Sequence, residues 1–268
     1  MLILSFLIIS LVAALIYVRM AGLIMWKAAL MFVGCFVALN LLYLLFLGLT
    51  ALFVNPSKPL TKQNPLCRMG CVGLCTLLTG YSLARIRVTG QEKLPRDSRF
   101  LMVCNHRSMF DPLVTIDKLR DFNLAFISKP ENMAIPIAGR VAYGAGFLPV
   151  DRVNDRKALV SINIAADYLR RGMCSMVVYP EGTRSKTGEL LPFHAGSFKI
   201  AQKAHAPLVI AAVRGTERVA KSIVRGGAEV CLDILEVVSA EKVRAMSTAE
   251  LALYSHDLID SKLKAVSC

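Results

Sequence analysis

The sequence predicts an α/β fold carried behind an N-terminal hydrophobic helical membrane anchor, and three observations support this. Apolar residues crowd the front of the chain, where residues 1–54 hold only two charges, Arg19 and Lys27. From residue 100 onward, short apolar runs of strand length alternate with stretches of helical period, the pattern of a layered α/β domain. The chemistry-bearing polar residues follow those runs directly, where such folds collect ligands. Of 268 residues 55% are hydrophobic and 19% charged, against about 45–50% and about 25% in ordinary soluble domains. Disorder, collagen-like repeats and a disulfide-stapled mini-domain are thereby excluded. Of the 32 Lys and Arg, all but the two named lie beyond residue 54, so 30 face 19 Asp and Glu there. A basic body behind an apolar front points to an anionic surface, membrane lipid ahead of nucleic acid.

Two apolar stretches open the chain. Met1–Val18 is marginal for a span of about 20 apolar residues, whereas Ala28–Val54 is long enough to cross with tilt. No basic residue precedes Leu2 and no small-x-small site follows, so a cleaved signal peptide fits poorly. Tyr17, Trp26 and Tyr43 suit the membrane interface. Arg19 and Lys27 favour a cytoplasmic connection between the stretches, while Lys58, Lys62 and Arg68 favour a cytoplasmic side after the second. Both hold together only if one stretch lies in the interface or forms half of a shallow hairpin. The expected organisation is hydrophobic membrane segments over 1–54, a linker with an interfacial amphipathic helix over 55–84, and one globular domain over 85–268.

Asn55-Pro56, Lys58-Pro59 and Asn64-Pro65 punctuate the linker. Residues 66–84 read as an amphipathic helix resting on the bilayer surface. Within it Cys67, Cys71 and Cys75 recur every four residues beside Leu74 and Leu78, a packing face better than a metal site. None of the eight cysteines forms a C-x-x-C pair, and the lack of a disulfide framework points to a reducing compartment. Strands are expected at Phe100–Cys104, Leu124–Ile127, Phe147–Val150, Ser175–Tyr179, Leu208–Val213 and Val230–Val237. Helices are expected at 155–170, where Leu159, Ile162, Ala166 and Leu169 share a face ahead of Gly172, and at 195–205. A last helix follows Ser247-Thr248-Ala249-Glu250, which has capping-box form.

The first expected strand runs into Asn105-His106-Arg107-Ser108-Met109-Phe110-Asp111-Pro112. Asp then Pro marks a helix start, with Asp111 capping and Pro112 at the first helical position. Five residues apart on one helix, two side chains diverge by about 140°. With His106 on the preceding loop, the chain folds back so that Asp111 reaches the imidazole. The carboxylate then fixes the tautomer and stabilises the imidazolium, making a base with its orienter. A second cluster, Tyr179-Pro180-Glu181-Gly182-Thr183-Arg184-Ser185, follows another strand. There Gly182 admits close backbone approach, Thr183 offers a hydroxyl and Arg184 a bidentate phosphate fork, while Glu181 holds a ligand hydroxyl or orients Arg184. Gly146–Arg152 ends a third strand in Asp151-Arg152, and Ser128-Lys129-Pro130-Glu131 closes a fourth. Convergence of Lys129, Arg152 and Arg184 on one crevice would make a phosphate site. Singly, each feature has a structural reading: a capping Asp, a polar turn, an Asp–Arg bridge. Cys104 is expected to point into the core by strand alternation.

Together these residues resemble the 1-acyl-sn-glycerol-3-phosphate acyltransferases, the PlsC-like glycerolipid acyltransferase family. Asn105 to Asp111 resembles the family's N-H-x-S-x-x-D (HX4D) block, and Gly146–Arg152 its second block, which ends in Arg. Tyr179–Ser185 resembles the F-P-E-G-T-R-S block with Tyr179 in place of Phe. Ala206-Pro207-Leu208-Val209-Ile210 resembles the fourth, without the second proline usual near Ile210, and Lys199 also fits. The resemblance covers roughly residues 85–215, with four blocks in order. It implies a mixed central sheet flanked by helices. It also implies transfer of a fatty acyl group from acyl-CoA or acyl-acyl carrier protein to the free hydroxyl of lysophosphatidate, giving phosphatidate in phospholipid biosynthesis. In that case His106 is the general base and Asp111 its orienter. Lys129, Arg152 and Arg184 bind the acceptor phosphate, and Glu181, Gly182 and Thr183 hold the neighbouring part of the acceptor. Transfer is direct, with no metal and no cofactor beyond the acyl donor as co-substrate. The implied partners are membrane lipid, lysophosphatidate and the donor, not nucleic acid, with the catalytic domain on the cytoplasmic side of a membrane. The alternative within the class acts on glycerol 3-phosphate, a lyso-aminolipid or another lysophospholipid. The alternative outside it, a non-catalytic anionic-lipid-binding protein, leaves His106 and Asp111 unexplained.

Overall fold

Both apolar stretches form helices, α1 (Leu2–Ala21) and α2 (Met25–Leu52), in a computed structural model that describes residues 2–21, 25–151, 155–185, 187–222 and 227–265. Each is long and apolar enough to cross a membrane, and the large apolar side chains of both stand exposed along their lengths. They pack on one another and on α3 (Pro65–Tyr81). The start of α3 follows from its sequence: Pro65 takes the first helical position, and the Asn64 side chain accepts the N–H groups of Leu66 and Cys67.

The small residues of α3 let α2 approach closely. A Cβ on Gly73 would lie 2.3 Å from the Tyr43 hydroxyl, which donates to the Gly70 carbonyl at 2.6 Å. Tyr81 donates to Asn40 Oδ1 at 2.6 Å. The other side of α3 packs on α4 (Phe110–Lys118), where the Thr76 hydroxyl donates to Asp117 at 2.7 Å. Thus α3 packs between the apolar helix pair and the body, with Leu66, Met69, Leu78 and Tyr81 left exposed along it. Cys67 and Cys75 are buried in it, as a packing face requires. Cys35, Cys67, Cys71, Cys75, Cys104 and Cys174 are free thiols, and Cys231 is disulfide-bonded.

The described residues form a seven-stranded sheet in the order β1-β7-β6-β2-β5-β3-β4. Its strands are β1 (Arg85–Thr89), β2 (Leu101–Cys104), β3 (Leu124–Ser128), β4 (Leu148–Pro149), β5 (Ser175–Val178), β6 (Leu208–Arg214) and β7 (Glu229–Val238). Strands β6, β2, β5, β3 and β4 run parallel; β7 is antiparallel to β6, and β1 is parallel to β7, so the sheet is mixed. Helices cover both faces of β2 and β5, whose residues are all buried, and such strands read as unbroken apolar runs. Between strands lie α5 (Pro130–Met133), α6 (Ala138–Gly144), α7 (Asp155–Arg170), α8 (Lys199–Ala204) and α9 (Val219–Ser222), and α10 (Ala240–Ala245) and α11 (Thr248–Ala265) close the chain. The expected helix over 195–205 is a 3-10 turn, Ala195–Phe198, leading into the shorter α8. The capping box forms as written: Ser247 N–H donates to Glu250 at 2.7 Å and Glu250 N–H to the Ser247 hydroxyl at 3.2 Å.

Past β6 the chain turns on Gly215 with φ 84°, and a Cβ there would lie 2.0 Å from the Glu229 carbonyl oxygen. Gly215→Ala is therefore expected to cost about 1–3 kcal/mol of stability. Denaturant unfolding in detergent measures it, and an unchanged midpoint would contradict the close approach.

Candidate active site

Strands β6, β2 and β5 lie side by side and parallel, so their carboxyl ends open at one edge of the sheet. Past β2, Asn105 stays buried and extends the pairing with β6: its side-chain amide donates to the Val213 carbonyl at 2.9 Å and accepts the Val213 N–H at 2.8 Å. The next residue, His106, leaves the sheet. Its ring stacks on Tyr179 from the end of β5, with centroids 4.1 Å apart and planes within 7°.

His106 Nδ1 lies 2.7 Å from Asp111 Oδ2. The same carboxylate oxygen accepts the N–H groups of Arg107 at 2.7 Å and Ser108 at 2.9 Å, and Oδ1 accepts the Thr216 hydroxyl at 2.5 Å. Asp111 is wholly buried, while the His106 side chain keeps 17% of its surface open. Two backbone N–H groups and a hydroxyl already donate to this carboxylate, an arrangement that suits it to accept an Nδ1 hydrogen from the ring as well. With the Nδ1 hydrogen directed at Asp111, Nε2 keeps its lone pair. The site is built to accept a proton at Nε2 and to stabilise the resulting imidazolium.

Asp111 reaches the imidazole as the sequence predicts, but it does not cap the helix. α4 begins at Phe110, with Asp111 second and Pro112 third, and no side chain caps it. The carboxylate turns back onto the loop, where two backbone N–H groups and the ring outbid the helix end. Glu181 is buried, with one oxygen accepting the His106 N–H at 2.5 Å and the other the Leu191 N–H at 3.0 Å. It ties the first loop to the third. Desolvation raises its pKa above the ordinary glutamate range, against the lowering pull of those two hydrogen bonds. Burial likewise pushes the Cys104 thiol and the Tyr179 phenol well up, so neither supplies an anion at neutral pH.

Gly182 is half-buried beside Tyr179, and Thr183 and Arg184 are exposed on the same loop. That loop closes on the site, because the Ser185 N–H donates to the His106 carbonyl at 3.0 Å. Lys129 is exposed at the end of β3, beyond β5 on the same edge of the sheet. Arg152 lies outside the described residues. Two residues escape sequence reasoning. Thr216 holds the second oxygen of Asp111, and Arg107 donates to the Gly188 carbonyl, with Glu217 3.9 Å from its guanidinium. The only signal for Thr216 is its place just past a strand. Beside the Tyr179 ring a cavity of about 540 Å³ opens, lined chiefly by Ile127, Leu159, Ile162, Val178 and Ile200, with Lys199 at its wall.

The family model described as Acyltransferase matches residues 85–214. A 1-acyl-sn-glycerol-3-phosphate acyltransferase of Haemophilus influenzae is 24% identical over 217 residues, covering 72% of this chain and 90% of that protein. One from Cocos nucifera is 35% identical over 120 residues, 45% of this chain and 39% of that protein. A chloroplastic one from Brassica napus is 31% identical over 140 residues, 52% of this chain and 40% of that protein. The matched stretch thus spans about two fifths of these plant relatives. The crystal structure of the 1-acyl-sn-glycerophosphate (LPA) acyltransferase PlsC from Thermotoga maritima superposes with a TM-score of 0.62, 20% identity and full coverage of both chains, so the fold is shared.

Because folding raises the pKa of Glu181, the native state holds this proton more tightly than the unfolded chain does. Its contribution to stability is complete below the ordinary glutamate value and is lost as pH rises through the raised one. Glu181→Gln is expected to flatten that fall, as read from melting temperatures across a pH series. Equal slopes in the two proteins would remove Glu181 as its source.

Proposed function

Residues 85–214 belong to the acyltransferase family, and from that premise we propose that the chain moves a fatty acyl group from a thioester donor, acyl-CoA or acyl-acyl carrier protein, to the free hydroxyl of lysophosphatidate, giving phosphatidate. The observation that carries this reading is the 2.7 Å contact between His106 Nδ1 and a buried Asp111 saturated with donors. His106 Nε2 takes the proton of the acceptor hydroxyl as its oxygen attacks the thioester carbonyl. The tetrahedral intermediate collapses with cleavage of the carbon–sulfur bond, and the imidazolium returns the proton to the departing thiolate. Asp111 remains ionised throughout and offsets the charge on the ring. The buried Cys104 thiol, raised in pKa, favours direct transfer over an acyl-enzyme. In this reading the chemistry needs only a base and a thioester, and no metal or further cofactor takes part.

Arg184 and Lys129 would bind the acceptor phosphate, with Arg152 joining them, while Gly182 and Thr183 would lie along the rest of the headgroup. The apolar cavity beside Tyr179 supports a place for an acyl chain next to the base. Two apolar N-terminal helices support membrane association. We place the body on the cytoplasmic side, where Lys58, Lys62 and Arg68 follow α2, and expect lipid and acyl donor, not nucleic acid, as partners.

The test supplies the purified protein with radiolabelled acyl donor and a panel of lyso-lipids and glycerol 3-phosphate, and identifies the labelled product. Phosphatidate is expected; a different labelled lipid would replace the acceptor named here. His106→Ala is expected to lower kcat by about 10²–10⁴-fold with membrane association intact; near-normal turnover would remove His106 as the base. Thr216 acts as a positioning residue through Asp111. Thr216→Val is expected to lower kcat by about fivefold to tenfold, the worth of one hydrogen bond. KM should stay unchanged, and Thr216→Ser should restore the rate. A loss that Thr216→Ser does not restore would mark Thr216 as merely structural.

A further inference from the structure

The turn joining α5 to α6 carries apolar side chains that a water-facing loop does not need. Ile135 and Ile137 flank Pro136 and are 50% and 45% exposed. Ile137 takes φ 63° and ψ −63°, and the Ala138 N–H closes onto the Pro136 carbonyl at 2.6 Å. This is a γ-turn of the rare, strained positive-φ kind, which glycine or asparagine would form at less cost than a β-branched residue. Strain of this sort persists where the side chain's direction has a use.

The direction is toward α2. A Cβ on Gly48 would meet Ile137 Cδ1 at 3.8 Å, so Ile137 is seated on α2 where that helix has no side chain. Around Gly48 on the same helix, Leu44, Leu45, Leu49 and Leu52 are each at least half exposed. The two isoleucines therefore continue the apolar surface of α2, and a bilayer that covers α2 would cover them too. Gly48 lies four residues before the end of α2, about 6 Å along the axis. With that end at the interface, the turn falls within the outer hydrocarbon, where apolar side chains of surface-bound proteins sit about 5–10 Å deep. Lys129 and Arg140, exposed on either flank, suit the headgroup level above it.

We propose that the Ile135–Ile137 turn is a membrane-inserting element in its own right, entering the leaflet beside α2. The proposal deepens the reading above and rests on α2 lying in a bilayer. Because α5 follows β3, the inserted turn belongs to the edge of the sheet that carries His106. Insertion holds the lipid surface against that edge, so the acceptor's hydroxyl reaches the base while its tail stays in the leaflet.

Trp26 is the chain's single tryptophan, so Trp26→Phe gives a dark background into which Ile135→Trp or Leu49→Trp is introduced in the full chain. Each protein is reconstituted into phosphatidylcholine vesicles containing phosphatidylglycerol, with and without brominated acyl chains. Both tryptophans are expected to emit at short wavelength and to lose at least half their intensity to the brominated lipid. A quenched Leu49→Trp beside an Ile135→Trp that answers only to aqueous iodide would overturn the proposal and leave the membrane reading intact. If neither is quenched, the membrane reading falls and the proposal with it. As a second measurement, Ile135→Asp is expected to slow transfer to a long-chain acceptor in vesicles several-fold, while transfer to a short-chain acceptor dissolved as monomer is unchanged. Equal loss on both would also overturn the proposal.

Discussion

One buried negative charge organises this domain. The Asp111 carboxylate lies out of reach of water and is held by four donors: the ring of His106, the N–H groups of Arg107 and Ser108, and the Thr216 hydroxyl. An unpaired carboxylate at that depth would cost several kcal/mol, so the surrounding chain must bring donors to it. That requirement shapes the loop after β2, whose N–H groups point inward, and it explains why α4 starts without a side-chain cap. It also links strands that are distant in sequence, because Thr216 arrives from β6. Glu181 meets a similar demand one strand over, its oxygens taken by the N–H groups of His106 and Leu191. The two carboxylates hold the backbone of His106 from one side and its ring from the other.

This arrangement is possible because β6, β2 and β5 are adjacent and parallel. Parallel neighbours release their loops at the same edge, so short extensions of each strand suffice to meet. The anchor reaches the same group of residues through α3. That helix receives α2 on its small-residue side and grips α4 on the other, where Thr76 bonds the buried Asp117. Asp117 lies on the helix that also carries Asp111, so the two apolar N-terminal helices and the His106–Asp111 pair share one continuous packed body.

The legible parts of the sequence were those in which one residue type carries one physical meaning. Unbroken apolar runs marked β2, β5 and β6 because both faces of those strands are buried, and His106 with Asp111 stood out because a loop residue must fold back onto a helix start. Strand β1 was missed although Arg-Ile-Arg-Val-Thr alternates as an edge strand should, with Arg85 and Arg87 exposed, because the expected strands follow apolar runs and this five-residue strand has none. The close packing of α3 on the apolar helix pair was not legible, because Gly70, Gly73 and Gly80 count as neither polar nor apolar, although they form its most intimate contact with that pair. Thr216 was invisible for a different reason. A threonine after Gly215 belongs to no motif, and its importance comes only from the sheet order, which places β6 beside β2. Glu181 was seen but misassigned in direction, since an acid in a polar turn gives no sign that backbone N–H groups will claim both of its oxygens.

Tyr179 separates the polar side of His106 from an apolar one. Its ring lies flat against the imidazole and tilts against Phe126 behind it, so one face of His106 is covered by apolar surface while the Asp111 side remains polar and dry. The cavity along the same tyrosine takes its aliphatic lining from β3, β5, α7 and α8, with His194, Ser197 and Lys199 also on its wall. His106 is not among the residues lining that cavity, so the stacked Tyr179 ring is what stands between the apolar space and the imidazole.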